Sequence, residues 1–199
     1  MEFEVVVRAR RSIRAYSREI PPEAELDTCV DIARRAPSAG FSQGIDFLVL
    51  DDPDAVEDFY ELSTPPDADI PEELKEHAPP VVLLVFSDPM RYLRRYSEGD
   101  KIAFGLDDLD RWPVRFWDVD AAMAAMQFQL AAVDRGLATW FFGIAHGEDA
   151  IRDRFGIPED RSLVGVIGVG YRHPDEQPIG SGTTRKRRPL MDQLHRNGW

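Results

Sequence analysis

The chain has a single cysteine, Cys29, among its 199 residues, which excludes an internal disulfide and leaves the fold to packing alone. Its spacing with Leu26, Val30 and Ala33 places the thiol on the core face of a helix. Positive charge is also scarce: 24 Lys and Arg against 36 Asp and Glu give a net charge of −12. Such acidity argues against a broad footprint for nucleic acid or an anionic membrane. No apolar run reaches the roughly 18 residues a membrane helix needs, and the opening Met-Glu-Phe-Glu-Val lacks the basic region and apolar core of a signal peptide. A cytoplasmic protein is the expectation. Catalytic signatures are few as well. His77, His146, His173 and His195 lack metal-ligand spacing, no G-x-S-x-G elbow occurs, and the histidines and paired acids read as solvent-exposed turn residues.

Against that background two basic clusters stand out. Arg10-Arg11-Ser12-Ile13-Arg14 concentrates three guanidinium groups and a hydroxyl, a set suited to one phosphate through charge-assisted, partly bidentate bonds. Arg185-Lys186-Arg187-Arg188 repeats the charge near the other end. Between them, Ala36-Pro37-Ser38-Ala39-Gly40-Phe41-Ser42-Gln43 ends a helix at Pro37 and offers small residues that let a ligand approach the backbone.

The hydrophobic pattern predicts a single domain, 1–199. Residues 3 to 10 form a helical or extended entry. A helix follows Pro21-Pro22, with apolar residues at 26, 29, 30, 33 and 36 on one face. Strands are expected over 45–50, 81–86, 138–144 and 163–170, and helices over 55–62, 72–77 and 148–155. The 81–86 run is apolar on both alternating sets, as a doubly covered strand should be. Asp120 is placed as the N-cap of a helix from Ala121 to Arg135 that is apolar almost all round, ended by Gly136. Leu163 to Gly170 is glycine-rich but lacks the G-x-G-x-x-G spacing, so a strand is preferred to a dinucleotide loop. Residues 88–118, dense in aromatics and charge, form either an irregular cap over the core or a lid over a ligand.

In order, the Arg10–Arg14 opening, the Ala36–Gln43 turn, the helix and strand through Leu137-Ala138-Thr139-Trp140-Phe141-Phe142-Gly143, and the basic tail resemble the nitroreductase family of flavin enzymes. Phe41, Gly44 and Ile45 stand where that family usually has Asn, Pro and Trp. The resemblance implies an α+β fold, a three-layer α/β/α sandwich with a mostly antiparallel sheet, built into an intertwined homodimer on the long helix. It implies FMN at the subunit boundary. Arg10 and Ser12 would hold the phosphate and ribityl region with Arg11 adjacent, Arg185 and Arg187 would join them from the tail, where Lys186 or Arg188 could substitute, and Arg14 would lie near the pyrimidine edge as an electrostatic tuner. Pro37, Ser38 and Gln43 would line the ring, and Phe142 and Gly143 would offer backbone contacts near its reactive nitrogen. Trp112, Phe116 and Trp117 would wall the pocket for a flat, electron-poor acceptor of nitroaromatic or quinone type, reduced at the expense of NAD(P)H. The flavin carries the chemistry, so no protein group is assigned as catalytic. Two alternatives stay open: a dehalogenating, desaturating or flavin-cleaving enzyme on the same fold, and a flavin or deazaflavin binding protein without turnover.

Overall fold

A computed structural model describes residues 1–199, the side chain of Glu73 excepted. In chain order the elements are α1 (Phe3–Ala9), α2 (Glu23–Ala33), β1 (Ile45–Leu50), α3 (Pro53–Ser63), α4 (Glu72–Glu76), β2 (Val81–Ser87), α5 (Pro89–Tyr96), α6 (Phe116–Asp134), β3 (Ala138–Phe142), α7 (Glu148–Phe155), β4 (Ser162–Gly170) and α8 (Ser181–Thr184). The strands form one antiparallel sheet in the order β1-β2-β4-β3.

Every residue of β2 is buried, because its two side-chain sets feed two different cores. Val81, Leu83 and Val85 pack with Leu26, Cys29 and Ala33 of α2 and with Ala121, Ala125 and Phe128 of α6. Val82, Leu84 and Phe86 face the other way, onto Val56 and Phe59 of α3 and Ile151 of α7. The expected α/β/α sandwich follows from that alternation. The glycines of β4 are explained by close packing. A Cβ at Gly165 would lie 2.3 Å from the Phe141 ring, one at Gly168 2.4 Å from Pro79, and one at Gly170 2.7 Å from Pro80.

Several boundaries differ from the pattern-based ones. The strand expected to reach residue 144 stops at Phe142, and α3 starts at Pro53, where the Asp52 carboxylate accepts from the Asp54 and Ala55 amides. The larger correction is in α6, which begins at Phe116 and not after Asp120. Asp120 therefore lies in the second turn, 2% exposed, and bonds to other parts of the chain instead of capping its own helix. The helix is apolar all round as expected, yet only one side is covered. Ala121, Ala124, Ala125, Phe128 and Ala132 face the core, whereas Phe116, Val119, Met123 and Met126 form an exposed row. Residues 177–199 lie exposed beyond the core. No described helix is long and apolar enough to cross a membrane.

Candidate functional site

The Arg10–Arg14 segment is laid along the free edge of the sheet. Ser12 bridges to Thr139 in parallel fashion, and the Ile13 amide donates to the Thr139 carbonyl at 3.1 Å. Tyr16, fully buried, pins the segment from beneath by donating its hydroxyl to the Ile13 carbonyl at 2.7 Å. Burial pushes the Tyr16 phenol well above its ordinary pKa, so it stays a donor. Above this base the Arg14 guanidinium lies 5.3 Å from the Trp140 ring centre and donates to the carbonyls of Ser12, at 3.3 Å, and Ile179, at 3.4 Å. Trp140 stacks on Phe142 at 4.6 Å, and Gly143 follows beyond the last paired residue of β3. Arg11 turns back onto the Arg8 and Arg10 carbonyls, and Arg10 is half-buried at the end of α1. The chain thus sets Arg10, Arg11, Ser12 and Arg14 in one stretch beside β3, with Arg14 over Trp140 and bonded to Ile179 at the start of the tail.

Charge pairing separates these arginines from the rest. Among the described ion pairs, each Lys and Arg from Arg18 to Arg172 has a carboxylate within 4.0 Å, except Lys101, which lies over the Tyr96 and Phe104 rings. Arg10, Arg11, Arg14, Arg185, Lys186, Arg187, Arg188 and Arg196 appear in none of those pairs, although the chain carries 36 acids. Arg185 and Arg187 are exposed in the tail.

The Pro37–Gln43 turn is braced from several directions. The Asp120 carboxylate accepts from the Ala39 amide at 2.8 Å and from the Tyr92 hydroxyl at 2.7 Å. Arg95, itself paired with Asp100, donates to the Gly40 carbonyl at 2.9 Å. That guanidinium holds the Asp100 carboxyl down at about 2, chiefly through their hydrogen bond. Ser38 Oγ accepts from the Gln43 amide at 3.0 Å, and Ser42 Oγ donates to the Ala39 carbonyl at 2.6 Å. Gly40 adopts φ +62, and any Cβ there would lie 2.8 Å from the Tyr96 ring. At Gly44 a Cβ would lie 2.5 Å from the Tyr92 ring, which leaves no room for a proline. Pro37 and Gln43 are exposed and Ser38 is half-buried.

Sheet order keeps this turn away from the arginines of the same chain. Thr139 shares a row with Val169 and Val81, which aligns with the residue after Leu50 at the far edge. Gly44 is three strands across and seven residues along from Thr139, a diagonal of about 27 Å at ordinary strand spacing and rise.

Of the residues expected to wall an acceptor pocket, Trp112 and Trp117 are buried, at 8% and 4% exposure, and Phe116 is exposed. The two indoles pack edge-on with Tyr92 and Tyr96, at 4.7 Å between Tyr96 and Trp112 and 5.7 Å between the indoles. Trp112 Nε1 donates to the Leu106 carbonyl at 2.9 Å. In the single chain these rings fill the interior of the 88–118 cap.

Tyr92 and Arg95 were not singled out from the sequence, and Asp120 was read only as a helix cap. An acid inside an otherwise apolar helix was the available signal, because such a group has to find donors. Two of the four histidines also differ from expectation, while His146 and His195 are exposed as expected. His77 and His173 are half-buried, their rings 4.2 Å apart and tilted by 41°, beside a cavity of about 290 Å³ lined by Tyr16, Ser17, Arg18, Glu76 and Pro174. Among the described residues no cluster of His, Cys, Asp or Glu is arranged to hold a metal.

A four-stranded antiparallel sheet between helical layers, with arginines laid along its free edge and a braced turn, makes up this α+β fold. Residues 7–171 match the model of the nitroreductase family, and the chain belongs to that family. It is 26% identical over 197 residues to a protein of Archaeoglobus fulgidus provisionally named NADH dehydrogenase/NAD(P)H nitroreductase, covering 98% of this chain and 97% of that one. The solved nitroreductase family protein of Streptococcus pneumoniae superposes with a TM-score of 0.73 at 18% identity, covering 98% of this chain and all of the other. An FMN-dependent nitroreductase of Clostridium difficile gives 0.68 at 19% identity, with 98% of each chain covered.

Proposed function

We propose that the protein is a homodimeric, FMN-dependent oxidoreductase that draws reducing equivalents from NAD(P)H and passes them to a flat, electron-poor acceptor of nitroaromatic or quinone type. The observation that carries this reading is the pair of basic clusters, Arg10–Arg14 and Arg185–Arg188, whose arginines enter no ion pair among the described residues. A dianionic phosphate headgroup suits them, through Arg10, Arg11 and Ser12 from the sheet edge and Arg185 and Arg187 from the tail. The Ile179 carbonyl on Arg14 already ties the root of the tail to that edge. Bound FMN would supply two-electron chemistry at its ring. Arg14 would set positive charge beside the pyrimidine edge and so favour negative charge there. Phe142 and Gly143, where β3 leaves the ladder, would offer main-chain groups to the ring.

The second half of the site comes from another copy. The turn holding Pro37, Ser38 and Gln43 leads into Gly44, which lies a diagonal of about 27 Å from Thr139, the edge residue that Ser12 bridges. The exposed row Phe116, Val119, Met123 and Met126 on α6 supports pairing of two chains along that helix. Each turn then serves the partner's flavin, and closing the two chains excludes water from the ring.

Absorbance of the purified protein tests the reading. A flavin spectrum that bleaches with NADH or NADPH under anaerobic conditions and returns on adding a quinone is the expected result. A colourless protein that FMN does not reconstitute would overturn it, and a yellow protein that neither nicotinamide bleaches would overturn the oxidoreductase assignment.

A further inference from the structure

Phe41 combines two features that are costly apart and informative together. Its backbone lies at φ +58, a left-handed conformation that L residues with bulky side chains rarely adopt, and its ring is 75% exposed. The exposed ring gains little burial to offset the backbone cost. What holds it is the bracing on both sides: Asp120 on the Ala39 amide, Arg95 on the Gly40 carbonyl, Tyr96 against Gly40, and Ser38 on the Gln43 amide. Strain of this kind persists only where the surroundings over-determine it, and it concentrates at ligand-contacting sites. The strained residue points an aromatic face outward from the turn that, on the reading above, meets the partner's flavin.

We propose that Phe41 is a specificity-determining residue, its ring stacking on planar aromatic acceptors at the flavin of the partner subunit. A flat, electron-poor ring matches an aromatic face in offset or edge geometry, whereas a compact, non-aromatic oxidant gains nothing from it. The inference rests on the flavin oxidoreductase reading and names the acceptor contact within it.

The test compares wild type with Phe41→Asn and Phe41→Tyr. Asparagine tolerates the left-handed conformation without a ring, and tyrosine keeps the ring. For Phe41→Asn, kcat/KM for menadione should fall about three- to tenfold, with kcat/KM for ferricyanide, flavin content and the NAD(P)H half-reaction unchanged. Phe41→Tyr should restore menadione. The melting temperature of Phe41→Asn should equal or exceed that of wild type, by up to about 4 °C as strain is relieved. A yellow, bleachable wild type whose Asn variant treats both acceptors as before overturns the inference alone. So does a shift of the Asn variant towards monomer in sedimentation, which would make Phe41 an interface residue. A colourless wild type defeats this inference together with the reading beneath it.

Discussion

Replacing Asp120 by alanine removes the acceptor for two donors at once. Both the Ala39 amide, at 2.8 Å, and the Tyr92 hydroxyl, at 2.7 Å, donate to the same carboxylate oxygen of a residue that is 2% exposed. Water cannot replace the lost partner easily in so closed a place. Tyr92 gains no relief by ionising, because burial, the largest cause that raises its pKa, persists when the carboxylate is gone. Hydrogen bonds to a charged group contribute about 1.5–3 kcal/mol each, so Asp120→Ala should cost about 3–5 kcal/mol. Asp120→Asn keeps an acceptor of the same shape and should cost about 1–2 kcal/mol. Urea unfolding at one fixed protein concentration reads the difference, and for a slope near 2.5 kcal/mol/M the alanine midpoint should fall by about 1–2 M. Because Tyr92 and Asp120 share a bond, Tyr92→Phe combined with Asp120→Ala should cost less than the sum of the two. An alanine variant within about 1 kcal/mol of wild type, or strict additivity in the pair, would refute the anchoring role.

Arg10→Ala should weaken FMN binding about ten- to hundredfold, measured by quenching of free flavin fluorescence, while Arg34→Ala, already paired to Asp31, leaves it unchanged. Met123→Glu places a charge in the exposed row of α6 and should give monomers in sedimentation that lose FMN with their dimer; an intact dimer would remove α6 as the seam. Burial pushes the Cys29 thiol up to about 11. At pH 8 iodoacetamide should therefore label native protein far more slowly than urea-unfolded protein. The sign for stability follows: the contribution is complete below the unfolded value near 9 and is lost as pH rises through about 11, so Cys29→Ala should flatten that decline.

Much of the architecture was legible because the relevant forces are local or periodic. Val81 to Phe86 is apolar on both alternating sets, and it became the doubly covered centre of the sheet. The arginine clusters were visible because charge density in a short stretch needs no fold to detect. Asp120 was misjudged for the opposite reason. Aspartate is a favoured N-cap, and the residues before it, from Trp112 to Trp117, contain a proline and look irregular, so local chemistry pointed to a helix start. Its actual donors, on Tyr92 and Ala39, lie 28 and 81 positions away. Trp112 and Trp117 are a similar case: aromatics in a charged stretch suit a ligand wall or a small core equally, and only the meeting of four rings decides the latter within one chain. The contact of His77 with His173 depends on bringing the entry to β2 beside the exit of β4, which no spacing reveals.

The three glycines of β4 carry a lesson for reading relatives of this chain. Each vacancy left by a missing side chain is filled by a particular neighbour: a phenyl ring from the next strand at Gly165, and the two prolines that open β2 at Gly168 and Gly170. Drift at any of these partners should loosen the demand for glycine opposite, so Pro79 and Gly168 ought to change together. A glycine-rich line that tempts a search for nucleotide loops is here a mould, recording the shapes pressed against it.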